Sequence, residues 1–399
     1  MLYNIKALTH YFQIQGGQKM DFELSEEHKM FQEAICNFAE KEIAPLVEEA
    51  EKTATFPLQL FPKMGKLGYL CVRYPAKYGG AEMGKIGDCI SIEQVAYHSV
   101  GICAGIMVQS GIGTTAVYTR GNEDQKKKYL VPAIKGEKIA AFGLTEPNAG
   151  SDAASIQTTA TKKNGKYVLN GTKIFITNGN ICDFVLAAAY TDKSKGSRGG
   201  VSLFIVEKGT PGFNRAKLHK FCGRSGETGE LTFEDCAVPE ANLIGEEGKG
   251  FPYVMESLMG GRISHASRSL GLARAAYDAS LKYAQERVQF GQPIAKFQTN
   301  AFKLARMALD IEAARWLIFY AAWLYDQNKP HIKEAAMAKL FASEVAVRVT
   351  TEAMQIHGGY GLTEESVVQR YFRDSRMSTI TEGTSEIQQL VISREIGIR

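Results

Sequence analysis

No C-x-x-C pair occurs in the 399 residues: the seven cysteines, Cys36, Cys71, Cys89, Cys103, Cys182, Cys222 and Cys236, are odd in number and scattered. That pattern argues against a disulfide framework and a zinc site, and suits a reducing, cytoplasmic location. The seven histidines show no metal-ligand spacing either, so no metal is expected. An excess of one charge is also missing, with 47 Lys+Arg against 43 Asp+Glu and no basic stripe interleaved with aromatics. Nucleic acid is therefore not an expected partner. Only one uncharged run, Ser99 to Thr119, has the length to cross a membrane. It carries Gln109, Thr114, Thr115 and four glycines, the composition of a buried helix packed through small residues, so no membrane span is expected. Residues 1–19 have neither a signal peptide's apolar core nor a transit peptide's arginines. They read as an extension ahead of an ordered protein that starts near Met20.

What is present is the balance of a soluble globular chain, 45% hydrophobic and 23% charged, long enough for two or three domains. Residues 20–138 are helical in period, with Phe31, Ile35 and Phe38 on one face and Ser25 placed to cap the first helix. Residues 139–249 turn to short β-rich runs such as KYVLNGTKIFITNG, DFVLAAAYTD and GVSLFIVEKG. Asn164-Gly165 and Asn170-Gly171 are tight-turn signals there, so a compact antiparallel β domain is expected. From 250 to 399 helical spacing returns, with Leu270, Ala273, Tyr277, Leu281, Ala284 and Val288 on one face. The segment 301–325 is apolar nearly all round, as in a helix buried in the fold or at a subunit interface, and 334–357 stops at Gly358-Gly359. The predicted class is α+β, in α–β–α order, closing on a C-terminal four-helix bundle.

Six motifs invite chemistry, and each has an ordinary structural explanation. GIGTTA at 111–116 has dinucleotide-loop spacing but no βαβ setting, and close helix packing explains it better. LTEPNAGSD at 144–152 puts small residues beside the hydroxyls of Thr145 and Ser151, suited to a ligand's polar edge or to a decorated turn. IFITNG places Phe175 and Thr177 on one strand face, an aromatic and a donor that could hold a flat heterocycle or pack as any half-buried pair. Arg287, in ERVQFGQPI, stands near a helix end, where it could pair with phosphate or meet the helix dipole. QIHGGYG at 355–361 ends a helix with glycines that allow close approach or serve as a cap. In ITEGTSEIQ, 380–388, Glu382 precedes a helix that Ser385 and Gln388 are spaced to cap as a box. The helix dipole alone would keep Glu382 ionised, whereas a working base needs burial to raise its pKa. On its residues alone Glu382 is a candidate base and no more.

Taken in order, LTEPNAGSD, FITNG, ERVQFGQPI, QIHGGYG and EGTSEIQ resemble the acyl-CoA dehydrogenase family over roughly residues 20–399. The resemblance implies a helical N-terminal domain, a middle β domain, a C-terminal helical bundle, FAD as cofactor and a homotetramer. It implies α,β-dehydrogenation of an acyl-CoA thioester, with an electron-transfer flavoprotein as acceptor. By position, Phe142, Leu144, Thr145 and Ser151 should line the flavin, Phe175 should pack on its ring and Thr177 should donate to its N5 edge. Arg287, Phe290 and Gln298, with Gln355, Gly358 and Gly359 of a neighbouring subunit, should hold the adenosine diphosphate part. Thr384 and Glu386 should flank the cofactor. Glu382 falls where most of the family keeps its base, with Ser151, Arg262, Thr381 and Gly383 on the substrate side. Some members carry the base before the arginine that matches Arg262; here that position is Gly261.

Three departures bear on the acyl group. Thr381 replaces a frequent tyrosine, which leaves room for a branched or cyclic chain, and Met259 stands where relatives often have aspartate. Relatives that act on dicarboxylyl thioesters place an arginine near Cys103, yet no basic residue lies between His98 and Arg120. With Gly105, Ile106, Met107 and Val108 at the expected pocket floor, an apolar acyl group is predicted. The alternatives are an oxidase-like or elimination enzyme on the same scaffold, or a non-catalytic acyl-CoA-binding protein.

Overall fold

The computed structural model describes residues 23–398, and the expected extension at 1–19 lies outside them. The first zone is helical: α1 Glu26–Phe38, α2 Val47–Thr53, α3 Leu60–Lys66, α4 Gly84–His98, α5 Val100–Ser110, α6 Ile112–Arg120 and two short pieces, α7 Glu123–Gln125 and α8 Val131–Ile134. Ser25 caps α1 as expected, accepting from His28 N at 3.2 Å. The long uncharged run is not one rod but two helices broken at Gly111, and it is almost wholly buried inside the protein. Its glycines serve close packing. A Cβ at Gly113 would come within 3.1 Å of the Ala140 methyl, and one at Gly105 within 2.8 Å of Phe56 and 2.9 Å of Asn178.

The middle zone is one sheet with strands β1 Ala140–Gly143, β2 Thr159–Lys163, β3 Lys166–Thr177, β4 Phe184–Tyr190, β5 Val201–Glu207, β6 Phe213–Lys217 and β7 Thr228–Pro239. A one-turn helix, α9 Gly196–Gly200, links β4 to β5. The order is β1-β4-β2-β3-β7-β6, with β5 also on β4. Asn164 and Gly165, both at positive φ, make the two-residue turn between β2 and β3. Asn170-Gly171 is no turn: it forms a bulge inside β3, where Gly171 lets the Thr158 side chain press close. The sheet is also not wholly antiparallel, because β1 and β2 each run parallel to β4. Hairpin turns announce antiparallel neighbours in a sequence, whereas parallel partners meet over long connections with no local signal.

The last zone packs α10 Gly250–Glu286, α11 Gln298–Asp326 and α12 Ile332–His357 together, then adds α13 Val367–Ser375 and α14 Ser385–Glu395. A two-strand ribbon, β8 Val288–Gln289 and β9 Gln292–Pro293, joins α10 to α11, so Val288 lies outside the helical face it was assigned to. Helix α4 crosses from the first zone to pack on α10 and α11. Helix α11 buries only part of its apolar circumference: Leu304, Met307, Ile311, Ala314 and Ile318 face the core, while Phe302, Leu309, Trp316 and Trp323 remain exposed.

Candidate active site

Two motifs far apart in sequence meet because β3 leaves its ladder. The pairing of β3 with β7 lapses between Lys173 and Ile176, where Phe175 takes φ +60° and Ile174 N donates instead to Thr145 O at 2.9 Å. That single bond ties IFITNG to LTEPNAGSD. Beneath it Lys173, fully buried, donates to Glu146 Oε1 at 2.7 Å and to Leu144 O at 3.2 Å. Glu146 is held further by Gln157 N, Thr158 N and the Thr158 hydroxyl. The result is a rigid ledge on which Phe142 and Leu144 are buried, Thr145 and Thr177 half-buried, and Ser151 and Phe175 exposed. A large aromatic held outward on a left-handed backbone is a costly arrangement, and such strain clusters at binding sites. Lys173→Met removes the counter-charge of a buried carboxylate and should cost about 3 kcal/mol, the lower end for such a break because Glu146 keeps its other donors. A lower thermal midpoint together with weakened cofactor retention checks this.

On the facing side Thr381 N bonds to Met377 O, after which Glu382 (φ +55°) and Gly383 (φ +89°) both turn left-handed before α14. The helix is capped by Thr384, which accepts from Ile387 N, and not by Ser385. Gln388 consequently does not close a capping box; its amide reaches back to Glu382 O at 3.2 Å and Gly383 O at 3.0 Å. Lys339, buried on α12, clamps the same turn from the other side through Gly383 O at 2.7 Å. So fixed, Glu382 points at Gly261 on α10: a Cβ there would lie 2.9 Å from Oε2 and 3.1 Å from Ile112 Cγ2.

Glu382 Oε2 is sealed from solvent and has no hydrogen-bond partner among the described residues. Burial raises its pKa above the ordinary carboxylate range, against the opposing pull of Arg268, Lys339, Lys85 and Arg262. Arg262, half-buried beside it, also has an unpartnered Nε. The burial that the sequence alone could not establish is present. Thr381 stands exposed at the mouth, Gly383 and Thr384 are half-buried, and Glu386 is exposed. The Glu386 backbone N–H and the Thr384 hydroxyl hold the Glu386 carboxyl below its usual range.

The chain matches three consecutive descriptions: the acyl-CoA dehydrogenase N-terminal domain over residues 25–137, the middle domain over 141–236 and the C-terminal domain over 248–397. The chain belongs to the acyl-CoA dehydrogenase family. It is similar to a probable acyl-CoA dehydrogenase, YngJ, of Bacillus subtilis strain 168, at 46% identity over 380 residues, 94% of this chain and 100% of that one. Among solved structures it resembles butyryl-CoA dehydrogenase from Megasphaera elsdenii at 43% identity, with a TM-score of 0.92, covering 94% of this chain and 100% of that one. It also resembles a chain in a structure of the electron transferring flavoprotein of Acidaminococcus fermentans, at 45% identity and a TM-score of 0.93, covering 95% and 100%.

FAD is the cofactor of acyl-CoA dehydrogenases, and the residues of this chain fit it. The exposed Phe175 offers a face to a planar ring, with the Thr177 hydroxyl beside it. A cleft of about 490 Å³ elsewhere offers Arg287, its guanidinium 5.5 Å from the Tyr360 ring, with Tyr283, His357, Gly358 and Gly359. Phe290 projects into solvent from the ribbon tip close by, and an adjoining cleft is lined by Thr299, Lys303 and Gln355, next to Gln298. Gln298 and Gln355 are themselves exposed.

Gly358 and Gly359 line the same cleft as Arg287 within one chain. One chain separates the Glu382 turn from the Arg287 cleft. Along α12, Lys339 at the Glu382 turn and Gly358 at the cleft are roughly 28 Å apart, and along α10 Arg262 and Arg287 are roughly 37 Å apart, at 1.5 Å per residue.

Sequence reasoning missed Lys173, Lys339, His265 and Arg268 as parts of the site. Their signal is a cation or imidazole inside an apolar run, as in AAMAKLFA and ISHASRSLG. At the expected pocket floor Gly105 packs on Phe56 and Asn178.

Proposed function

We propose that this protein catalyses α,β-dehydrogenation of a short acyl-CoA thioester, with Glu382 taking the α-proton. FAD, when bound, accepts the β-hydrogen as hydride, so that the two C–H electron pairs leave one C=C bond and a reduced cofactor. Oε2 of Glu382 carries the proposal, being a sealed, unpartnered acceptor with a raised pKa on a turn clamped by Lys339 and Gln388. The Glu382 backbone N–H would polarise the thioester carbonyl, which acidifies the α-proton by stabilising enolate charge. Phe175 and Thr177 would orient the ring, Phe142, Leu144, Thr145 and Ser151 would line it, and Thr384 and Glu386 would flank it. Arg262 and Thr381 face the thioester. Anaerobic titration with a panel of acyl-CoA thioesters, read by flavin absorbance, tests this: bleaching by at least one supports it, and none with FAD bound refutes it.

The likeness to butyryl-CoA dehydrogenase supports a short acyl group, and the electron transferring flavoprotein structure supports an electron-transfer flavoprotein as acceptor. Seven free cysteines suit the cytoplasm. The Glu382 turn and the Arg287 cleft lie roughly 28 Å apart along α12, which supports an FAD shared between two subunits, whose ring Phe175 of one and whose adenosine Arg287 of the other would hold. The heptad-spaced Phe302, Leu309, Trp316 and Trp323 on α11 provide a further contact seam, which supports a homotetramer. Leu309→Glu should reduce the mass measured by light scattering to half or less, and a monomeric parent protein would contradict the assembly.

A further inference from the structure

Several buried and half-buried cations are paired with carboxylates. Lys85 pairs with Asp88 at 2.6 Å, Lys173 with Glu146 at 2.7 Å, and Arg274 and Arg315 share Glu93 at 2.7 and 3.0 Å. Arg268, only 3% exposed on α10, makes no ion pair among the described residues. Its Nη2 donates to His265 Nε2 at 2.6 Å and to Thr381 Oγ1 at 3.2 Å, and its Nε is buried without a partner. Neither Lys339 nor Arg262 makes an ion pair among the described residues; Glu382, which has work of its own, acts on all three cations from a distance, with Asp374 also acting on Arg268 and Glu386 on Lys339. Uncompensated buried charge is strongly unfavourable, and it persists where something else supplies the counter-charge.

His265 sharpens the demand. By donating to Nε2, Arg268 makes that nitrogen an acceptor and leaves the ring proton on Nδ1, which is buried and has no acceptor among the described residues. Two unused donors, Arg268 Nε and His265 Nδ1, therefore belong to side chains that both bond Thr381, the residue next to Glu382. Arg268 also lies close enough to Cys103 of α5 for each to act on the other electrostatically. No basic residue is present along 99–119, but α10 brings one to that place from across the bundle.

We infer that the acyl pocket ends in an anion site made by Arg268 and His265, which selects a short acyl-CoA whose far end carries a carboxylate. This replaces the apolar preference predicted from Gly105 to Val108, and it rests on the dehydrogenase reading of the same site. The carboxylate would accept from Arg268 Nε and His265 Nδ1 and neutralise the guanidinium, while Thr381, small where relatives carry tyrosine, leaves the passage open.

The test is anaerobic titration of the FAD-loaded oligomer with butyryl-CoA and with glutaryl-CoA. The parent protein should be half-reduced at a glutaryl-CoA concentration at least tenfold below that for butyryl-CoA. Arg268→Met should abolish or reverse that ratio, with bound FAD and an unchanged thermal midpoint reporting an intact fold and cofactor, and Arg268→Lys should keep part of the preference. A parent protein reduced by butyryl-CoA alone, or a ratio unchanged in Arg268→Met, overturns the anion site and leaves the dehydrogenase reading standing. Failure of both thioesters to bleach the parent protein overturns both.

Discussion

Replacing Glu382 with glutamine lowers turnover by about 10²–10⁴-fold, the range of a lost general base, while FAD and thioester stay bound. The amide keeps the shape of the side chain, so the left-handed turn, the Lys339 and Gln388 clamps and the contact with Gly261 all persist. Only the capacity to accept a proton disappears. The same carboxylate sets a pH dependence. Burial holds its pKa above the ordinary carboxylate range, so kcat/KM rises with pH as Glu382 loses its proton through that raised value and then levels. The rising limb is absent in the residual activity of Glu382→Gln. Stopped-flow flavin reduction across pH 5–8 for both proteins checks both statements, and substantial turnover by the glutamine variant removes Glu382 from the mechanism.

Gly261→Ala separates activity from stability in a way that few substitutions do. Position 261 lies inside the 37-residue helix α10, where alanine is favoured over glycine by roughly 1 kcal/mol. Its new methyl would stand 2.9 Å from Glu382 Oε2, which must move, and 3.1 Å from Ile112 Cγ2. The carboxylate is the free end of a flexible side chain, so it yields at little cost to the fold. The base is thereby displaced, and a shift of about 1 Å costs on the order of 100-fold in rate. The expected result is an unchanged or higher thermal midpoint with retained FAD and about 100-fold slower flavin reduction. Full activity in this variant would show that Glu382 works from a position other than the one it occupies here.

Much of this architecture is legible in the residues, because periodicity and turn chemistry are local. The face of Leu270, Ala273 and Ala284, the Asn164-Gly165 hairpin and the stop at Gly358 all follow from spacing and φ preferences. What escapes is long-range. The parallel contacts of β4 leave no turn signature, and Asn170-Gly171 serves as a bulge because Thr158 comes in from the segment just ahead of β2. Ser385 and Gln388 have the spacing of a capping box, but Thr384 supplies the cap, and the Gln388 amide is drawn to two carbonyls exposed by the Glu382-Gly383 turn. The site divides in the same way. Glu382, Phe175 and Thr145 lie in motifs with a recognisable order, whereas Lys173, Lys339 and Arg268 gain their roles only when β3 meets β1, α12 meets the Glu382 turn and α10 meets α5.

The most direct test of Glu382 as the base is rapid mixing of the FAD-loaded protein with the best-reducing thioester in its ordinary and α-dideuterated forms. The account predicts slower flavin reduction with the α-dideuterated thioester in the parent protein and no comparable reduction in Glu382→Gln. Equal rates for the two thioesters together with an active glutamine variant would contradict it.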